Sequence, residues 1–222
     1  MIGFDKSHLL FYDHSSLTPR SAIYASKDLH LWPMPEFTAK DITTCLWLTH
    51  QDHLPKVIIA SVYMDHTDLK VWPDTLTKLL RYCRSGRHKL ILAADTNGHS
   101  SLWGSEDTNT QGKAIEELVF LNNLAILNVG NHPTFYNRRC SSIIDVTFSS
   151  EDMVDSVKDW MVDTSFMDSD HHLITFNIMI RSPKPISVRN LKKATGKSVQ
   201  APWRKCLWTW ILPPGTKPFW TT

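Results

Sequence analysis

Two short aliphatic runs, KVIIASVY at 56–63 and KLILAA at 89–94, constrain this chain more than any other feature. Each is bounded by polar or proline punctuation, the pattern of a strand buried on both faces. Between them Leu76, Leu79, Leu80 and Cys83 recur at helical spacing. Pro73 suits the first turn of that helix and Gly86 suits its end. A second helix is expected over 113–122, with Ile115, Leu118, Val119 and Leu121 on its apolar side. Further strands are expected at 124–128, 143–149, 159–163 and 172–180. This alternation predicts a layered α/β sandwich rather than a doubly wound sheet.

Composition sharpens the boundaries. With 42% hydrophobic residues and 21% charged, the 222-residue chain can bury a core, and no apolar run approaches the roughly 20 residues that span a bilayer. Residues 1–8 contain Asp5, Lys6 and His8 and no apolar signal core, which argues against secretion. Cys45, Cys83, Cys140 and Cys206 are widely spaced, as in an intracellular protein with reduced thiols. Residues 181–222 carry nine of the 24 Lys and Arg and none of the 22 Asp and Glu, which leaves 15 basic and 22 acidic residues in the body. That break separates an expected domain, 1–181, from a basic tail, 182–222, rich in proline and tryptophan. The acidic body excludes nucleic-acid binding by bulk charge, but not by a local patch. The tail itself is expected to add salt-sensitive DNA affinity rather than fold stability.

Three polar motifs interrupt the apolar pattern. Asp95-Thr96-Asn97 follows KLILAA. On an extended strand end its carboxylate and amide would point the same way, at the edge where α/β sheets hold ligands; the same residues also suit an Asx turn. Ser142-Ile143-Ile144-Asp145 places an acid beside apolar residues, which requires a partner or a metal if Asp145 is buried and nothing if it faces solvent. Ser169-Asp170-His171 precedes the last strand, where an imidazole beside a carboxylate can act as base or donor, or simply sit in a polar loop. His172 should face away from His171, so only one of them can serve a site.

In this order, DxN, SxID and SDH resemble the endonuclease/exonuclease/phosphatase superfamily, and in particular the endonuclease domain of non-LTR retrotransposons. The similarity runs over about 15–180. It includes Pro19-Arg20-Ser21-Ala22-Ile23-Tyr24, Ser61-Val62-Tyr63, the loop from Asp95 to Trp103-Gly104, Gly112, Leu127-Asn128 and Pro133-Thr134-Phe135. The resemblance implies a four-layer α/β-β-α sandwich, two mixed sheets with helices outside, incomplete at its N-terminal edge. It implies Mg²⁺-dependent (or Mn²⁺-dependent) nicking of DNA that primes reverse transcription, at a nuclear site and away from membranes. The implied partners are DNA, the element's RNA and a C-terminal reverse transcriptase domain. Asp95 would orient or deprotonate water, Asn97 would hold the phosphate, His171 would stabilise the pentacoordinate phosphorus, and Asp145 would orient His171. Tyr63 would contact the phosphate or its nucleophile, Ser142 and Ser169 would line the substrate, and Asp170 would contribute to the metal site.

The departures carry their own expectation. Such domains begin with two more strands, one bearing Asn and one a metal-binding Glu. Here Met1-Ile2-Gly3 resembles sequence just after that Glu strand, and Glu36, the one glutamate in the first hundred residues, stands in an unrelated Pro-Met-Pro-Glu setting. The alternative function is therefore a folded remnant with impaired catalysis.

Overall fold

The computed structural model describes residues 6–48, 56–67, 71–165 and 169–179, and the backbone of 204–208. In chain order the first strands are β1 (His8–Tyr12), β2 (Ala22–Ser26), β3 (Leu31–Pro33), β4 (Ile42–Trp47) and β5 (Val57–Tyr63). Helix α1 (Asp74–Gly86) leads to β6 (Lys89–Asp95), and α2 (Thr110–Leu121) leads to β7 (Leu124–Ile126). A short hairpin, β8 (Phe135–Tyr136) and β9 (Ser141–Ser142), precedes β10 (Asp145–Ser150), β11 (Val157–Asp163) and β12 (Leu173–Ile178). Residues Arg204–Trp208 form β13.

The central sheet has the order β3-β4-β5-β6-β10-β7, with β5 and β6 parallel and the other pairs antiparallel. A three-stranded sheet, β11-β12-β13, and the β1-β2 pair complete the main β structure. The mixed sheet with helices is the α/β fold expected. The central strands are apolar on both faces because each face meets a different layer. Along β5, Ile58, Ala60 and Val62 join a core with α1 and α2 residues such as Leu76, Leu79 and Ile115. Val57 and Ile59 join the opposite core, with Ile91, Met153, Ile174 and Phe176. This second core holds the β12 sheet against the central one.

Several boundaries differ from the sequence expectation, each for a local reason. Pro73 is extended and caps α1 from outside, and the left-handed residue at its end is Arg87 (φ 50°) rather than Gly86. Helix α2 starts three residues early because Asn109 caps it, its side chain accepting from the Gly112 N–H. Leu121, expected on the apolar side of α2, is 66% exposed at its last turn. Strand β4 lies outside the expected strands, although Ile42, Thr43 and Thr44 supply the β-branched residues strands favour. Strand β13 pairs antiparallel with β12, so part of the tail contributes to the sheet. The boundary expected at 181/182 lies outside the described residues.

Candidate active site

Register builds the site. Tyr63 pairs with Asp95 across β5–β6, and Asp95 pairs with Asp145 across β6–β10. Side chains alternate along each strand, so all three emerge on the face that carries Val57, Ile59 and Ile91. They form one row across three adjacent strands, aimed at the seam between the two sheets. Asp95 is the last residue of β6, not the first residue beyond it.

His171 closes the row from the segment just before β12, where its backbone bridges to Phe135. Its Nδ1 lies 3.1 and 3.0 Å from the two carboxylate oxygens of Asp145, and its Nε2 lies 3.9 Å from Asp95 Oδ2. Asp145 is fully buried, Asp95 is 6% exposed and His171 9%. A bare carboxylate at such depth would be costly, and the imidazole answers the demand. Of the readings open for Asp145, the paired one is realised. The His171 N–H donates to Ser169 Oγ at 3.1 Å, and the ring packs edge-on against Phe135 at 5.0 Å. His172 turns away as expected, its Nδ1–H donating to the Pro133 carbonyl at 2.9 Å.

The electrostatics follow from this enclosure. Burial, and then the charge of Asp145, raise the Asp95 carboxyl well above the usual carboxylate range. Burial alone would lower His171, but the hydrogen bond and charge of Asp145, with Asp95 and Asp170 adding, lift it to about 9. A carboxylate poised near neutrality and a cationic imidazole face one another, one able to take a proton and the other to meet negative charge.

Asn97 reaches the site by a different route from the one its spacing implied. It is left-handed (φ 48°), so strand alternation ends at Asp95. Its Nδ2 donates to the Met64 carbonyl at 2.9 Å, and its side chain lies near enough to the Tyr63 phenol to favour the ionised oxygen. The helix behind holds this loop rigid. Gln111 Nε2 donates to the Thr96 carbonyl at 2.6 Å, and Asn109 Oδ1 accepts from the His99 N–H at 3.1 Å. A Cβ at Gly112 would stand 1.8 Å from the His99 carbonyl oxygen, so only glycine permits the contact. Trp103, buried, donates from Nε1 to the Ile143 carbonyl at 3.1 Å and ties this loop to the strand of Asp145.

Asp170, Ser142 and Ser169 occupy the rim. The Asp170 carbonyl accepts from the Tyr136 N–H at 2.7 Å, while its exposed carboxylate lines a shallow cavity of about 380 Å³ with Asn137, Arg138 and Arg139. Ser142 is half-buried in β9, opposite Phe135. Among the described residues the one set of carboxylates and histidines close enough to share an ion is Asp95, Asp145 and His171, and Asp170 is not in it. Glu36 is exposed on the turn 35–37.

Thr134 and Asn128, which belong to segments that carry the resemblance, fix Asp145. Thr134 Oγ1 accepts from the N–H groups of Ile144 and Asp145 at 3.1 and 2.9 Å, and Asn128 Nδ2 donates to the Asp145 carbonyl at 3.0 Å. A threonine after Pro133 and an asparagine after an apolar strand were the available signals. Neither specifies its partner.

The profile of the family described as Endonuclease-reverse transcriptase matches residues 57–175. The endonuclease domain of TRAS1, a telomere-specific non-LTR retrotransposon, is 28% identical and superposes with a TM-score of 0.71, covering 80% of this chain and 83% of that one. The AP endonuclease LMAP from Leishmania major shares the fold, at 14% identity and a TM-score of 0.50, over 67% of this chain and 62% of that one. No curated protein matches the sequence.

Proposed function

The chain belongs to the endonuclease–reverse transcriptase family, and we propose that its site nicks DNA by metal-assisted phosphodiester hydrolysis. The row of Tyr63, Asp95 and Asp145, closed by His171, is the observation that carries this reading. Asp95, kept from ionising too readily, takes the proton of the attacking water. Asn97 and Tyr63, side by side where β6 and β5 end, hold the phosphate. His171, held cationic and oriented by Asp145, stabilises charge on the pentacoordinate phosphorus through Nε2. Ser142 and Ser169 line the approach of the strand. The exposed Arg138 and Arg139 supply a local cationic patch beside it, in a body that is otherwise acidic.

Asp95 is the carboxylate of this cluster that would hold a hard, oxygen-seeking cation such as Mg²⁺ or Mn²⁺, with water completing the shell; Asp170, the metal residue the resemblance implies, stands apart from it on the rim. When bound, such an ion offsets negative charge on the phosphate oxygens. In a retrotransposon the nick would prime a C-terminal reverse transcriptase on the element's RNA, in the nucleus.

Supercoiled plasmid incubated with the protein and Mg²⁺ should convert to open circles. EDTA and His171→Ala should each abolish conversion. Nicking that persists in His171→Ala would overturn the assignment. The second reading, a folded domain of impaired catalysis, is favoured by the rim position of Asp170 beside two arginines. It predicts that wild-type protein, folded by circular dichroism, nicks no faster than His171→Ala.

A further inference from the structure

We propose that Arg20 is a positioning residue for Tyr63: its guanidinium, clamped between Asp41 and Asp65, fixes the plane of the tyrosine ring and so the direction of its phenol oxygen.

Arg20 stands just before β2, far in sequence from the DxN, SxID and SDH motifs. Its side chain is 11% exposed, and its charge is fully engaged. Nε and Nη2 donate to the two oxygens of Asp41 at 2.5 and 2.8 Å, and Nη1 donates to Asp65 Oδ2. The guanidinium carbon sits 4.5 Å from the centroid of the Tyr63 ring. Both clamping acids also govern the tyrosine's backbone. The Asp41 carbonyl accepts from the Tyr63 N–H at 2.8 Å, and Asp65 follows Tyr63 by two residues, its Oδ1 held by the N–H and hydroxyl of Thr67 at 2.9 and 2.7 Å. One cluster thereby fixes both main chain and ring.

An arginine is an odd choice if filling space were the only need. A half-buried ion pair is weak evidence of stability, and an apolar residue of similar volume would serve as well. A planar fork does what an apolar side chain cannot. Two carboxylates set its plane, and that plane in turn sets the ring stacked on it. The phenol then meets the Asn97 side chain, which is anchored to Met64, beside Asp95. Burial and the charges of Asp95 and Asp65 hold the phenol's acidity below normal, and Arg20 opposes them.

The kinetic arm of the test rests on the nuclease reading; the spectroscopic arm does not. Arg20→Met keeps length and removes the fork. Plasmid nicking should lose about tenfold in kcat with KM nearly unchanged, since the residue acts through another group. In a Tyr63→Phe background, where there is no phenol oxygen to aim, the same substitution should change kcat less than twofold. Arg20→Lys, with a point charge in place of the fork, should not restore the rate. In protein labelled at tyrosine Cζ, the Tyr63 resonance should shift in Arg20→Met as the guanidinium over its ring is lost. An equal kcat loss in both backgrounds, or an unmoved Tyr63 resonance, overturns the proposal. If wild-type protein does not nick, the nuclease reading falls and the resonance alone decides Arg20. If Arg20→Met does not fold, Asp65→Asn, which opens the same clamp, carries the kcat comparison in the two backgrounds and the resonance shift.

Discussion

The inner and outer halves of the site are built by opposite means. Tyr63, Asp95 and Asp145 lie on neighbouring strands of a six-stranded sheet, and ladder hydrogen bonds and the pleat dictate where they point. Arg138, Arg139 and Asp170 stand around a hairpin whose strands are two residues long, and their side chains are exposed. The inner half is largely buried and pre-oriented, as a group meeting charge in a transition state must be. The outer half can adapt to a long, irregular polyanion. Precision and adaptability are thus assigned to different secondary structure.

The largest test of that division is Asp145→Asn. The amide occupies the same space but no longer fixes His171 as a cation, so nicking should fall about 10³-fold with the melting temperature little changed. A loss below tenfold would mean the buried pair serves packing alone. Thr134→Val probes the joint between the halves, because Thr134 bonds Ser142 and His172 through its backbone and the Asp145 strand through its hydroxyl. Two buried N–H donors would lose their partner, at a cost of about 1–3 kcal/mol each. Nicking should drop about tenfold and thermal unfolding should come earlier; an unchanged melting curve would show that water replaces the hydroxyl.

The Arg138→Ala/Arg139→Ala pair should act on binding only. We expect KM to rise by roughly threefold and the slope of log K against log salt to flatten by about one to two, with kcat retained. Falling kcat would show that the outer half also sets geometry.

The smallest effect is on stability. The folded state raises the Asp95 carboxyl above its unfolded value, so the unfolded chain ionises first and stability declines as pH climbs from about 4 towards neutrality. The penalty is complete above the folded-state value. Asp95→Asn should therefore leave the melting temperature unchanged near pH 4 and raise it by about 4 °C at pH 8, while abolishing nicking. A gain that appears equally at both pH values would locate the effect in packing rather than in charge.

The same division explains what the sequence disclosed. Strands β5 and β6 and the buried face of α1 were legible because double-sided burial writes uninterrupted apolar runs and a 3.6 period. Asp95 and His171 were legible because an acid and an imidazole at strand ends are chemically conspicuous. The left-handed Asn97 was not, since its spacing from Asp95 fits an extended strand equally well. Arg20, Gln111 and Thr134 were invisible as partners, because each acts on a backbone or ring brought near only by tertiary folding. Leu121 misled for the same reason: helical periodicity identifies a face, but where the neighbouring layer ends decides which residue on it is covered.

The two-faced packing of β5 and β6 has a last consequence. A slip of one residue in either strand would exchange the occupants of the two cores, and it would also rotate Tyr63 or Asp95 out of the seam. Shape and chemistry are encoded in the same parity, much as a checksum is carried by the message it guards. Molecules with the wrong pairing should therefore contribute no activity at all, and the nicking-competent fraction of a preparation should count the correctly registered molecules directly.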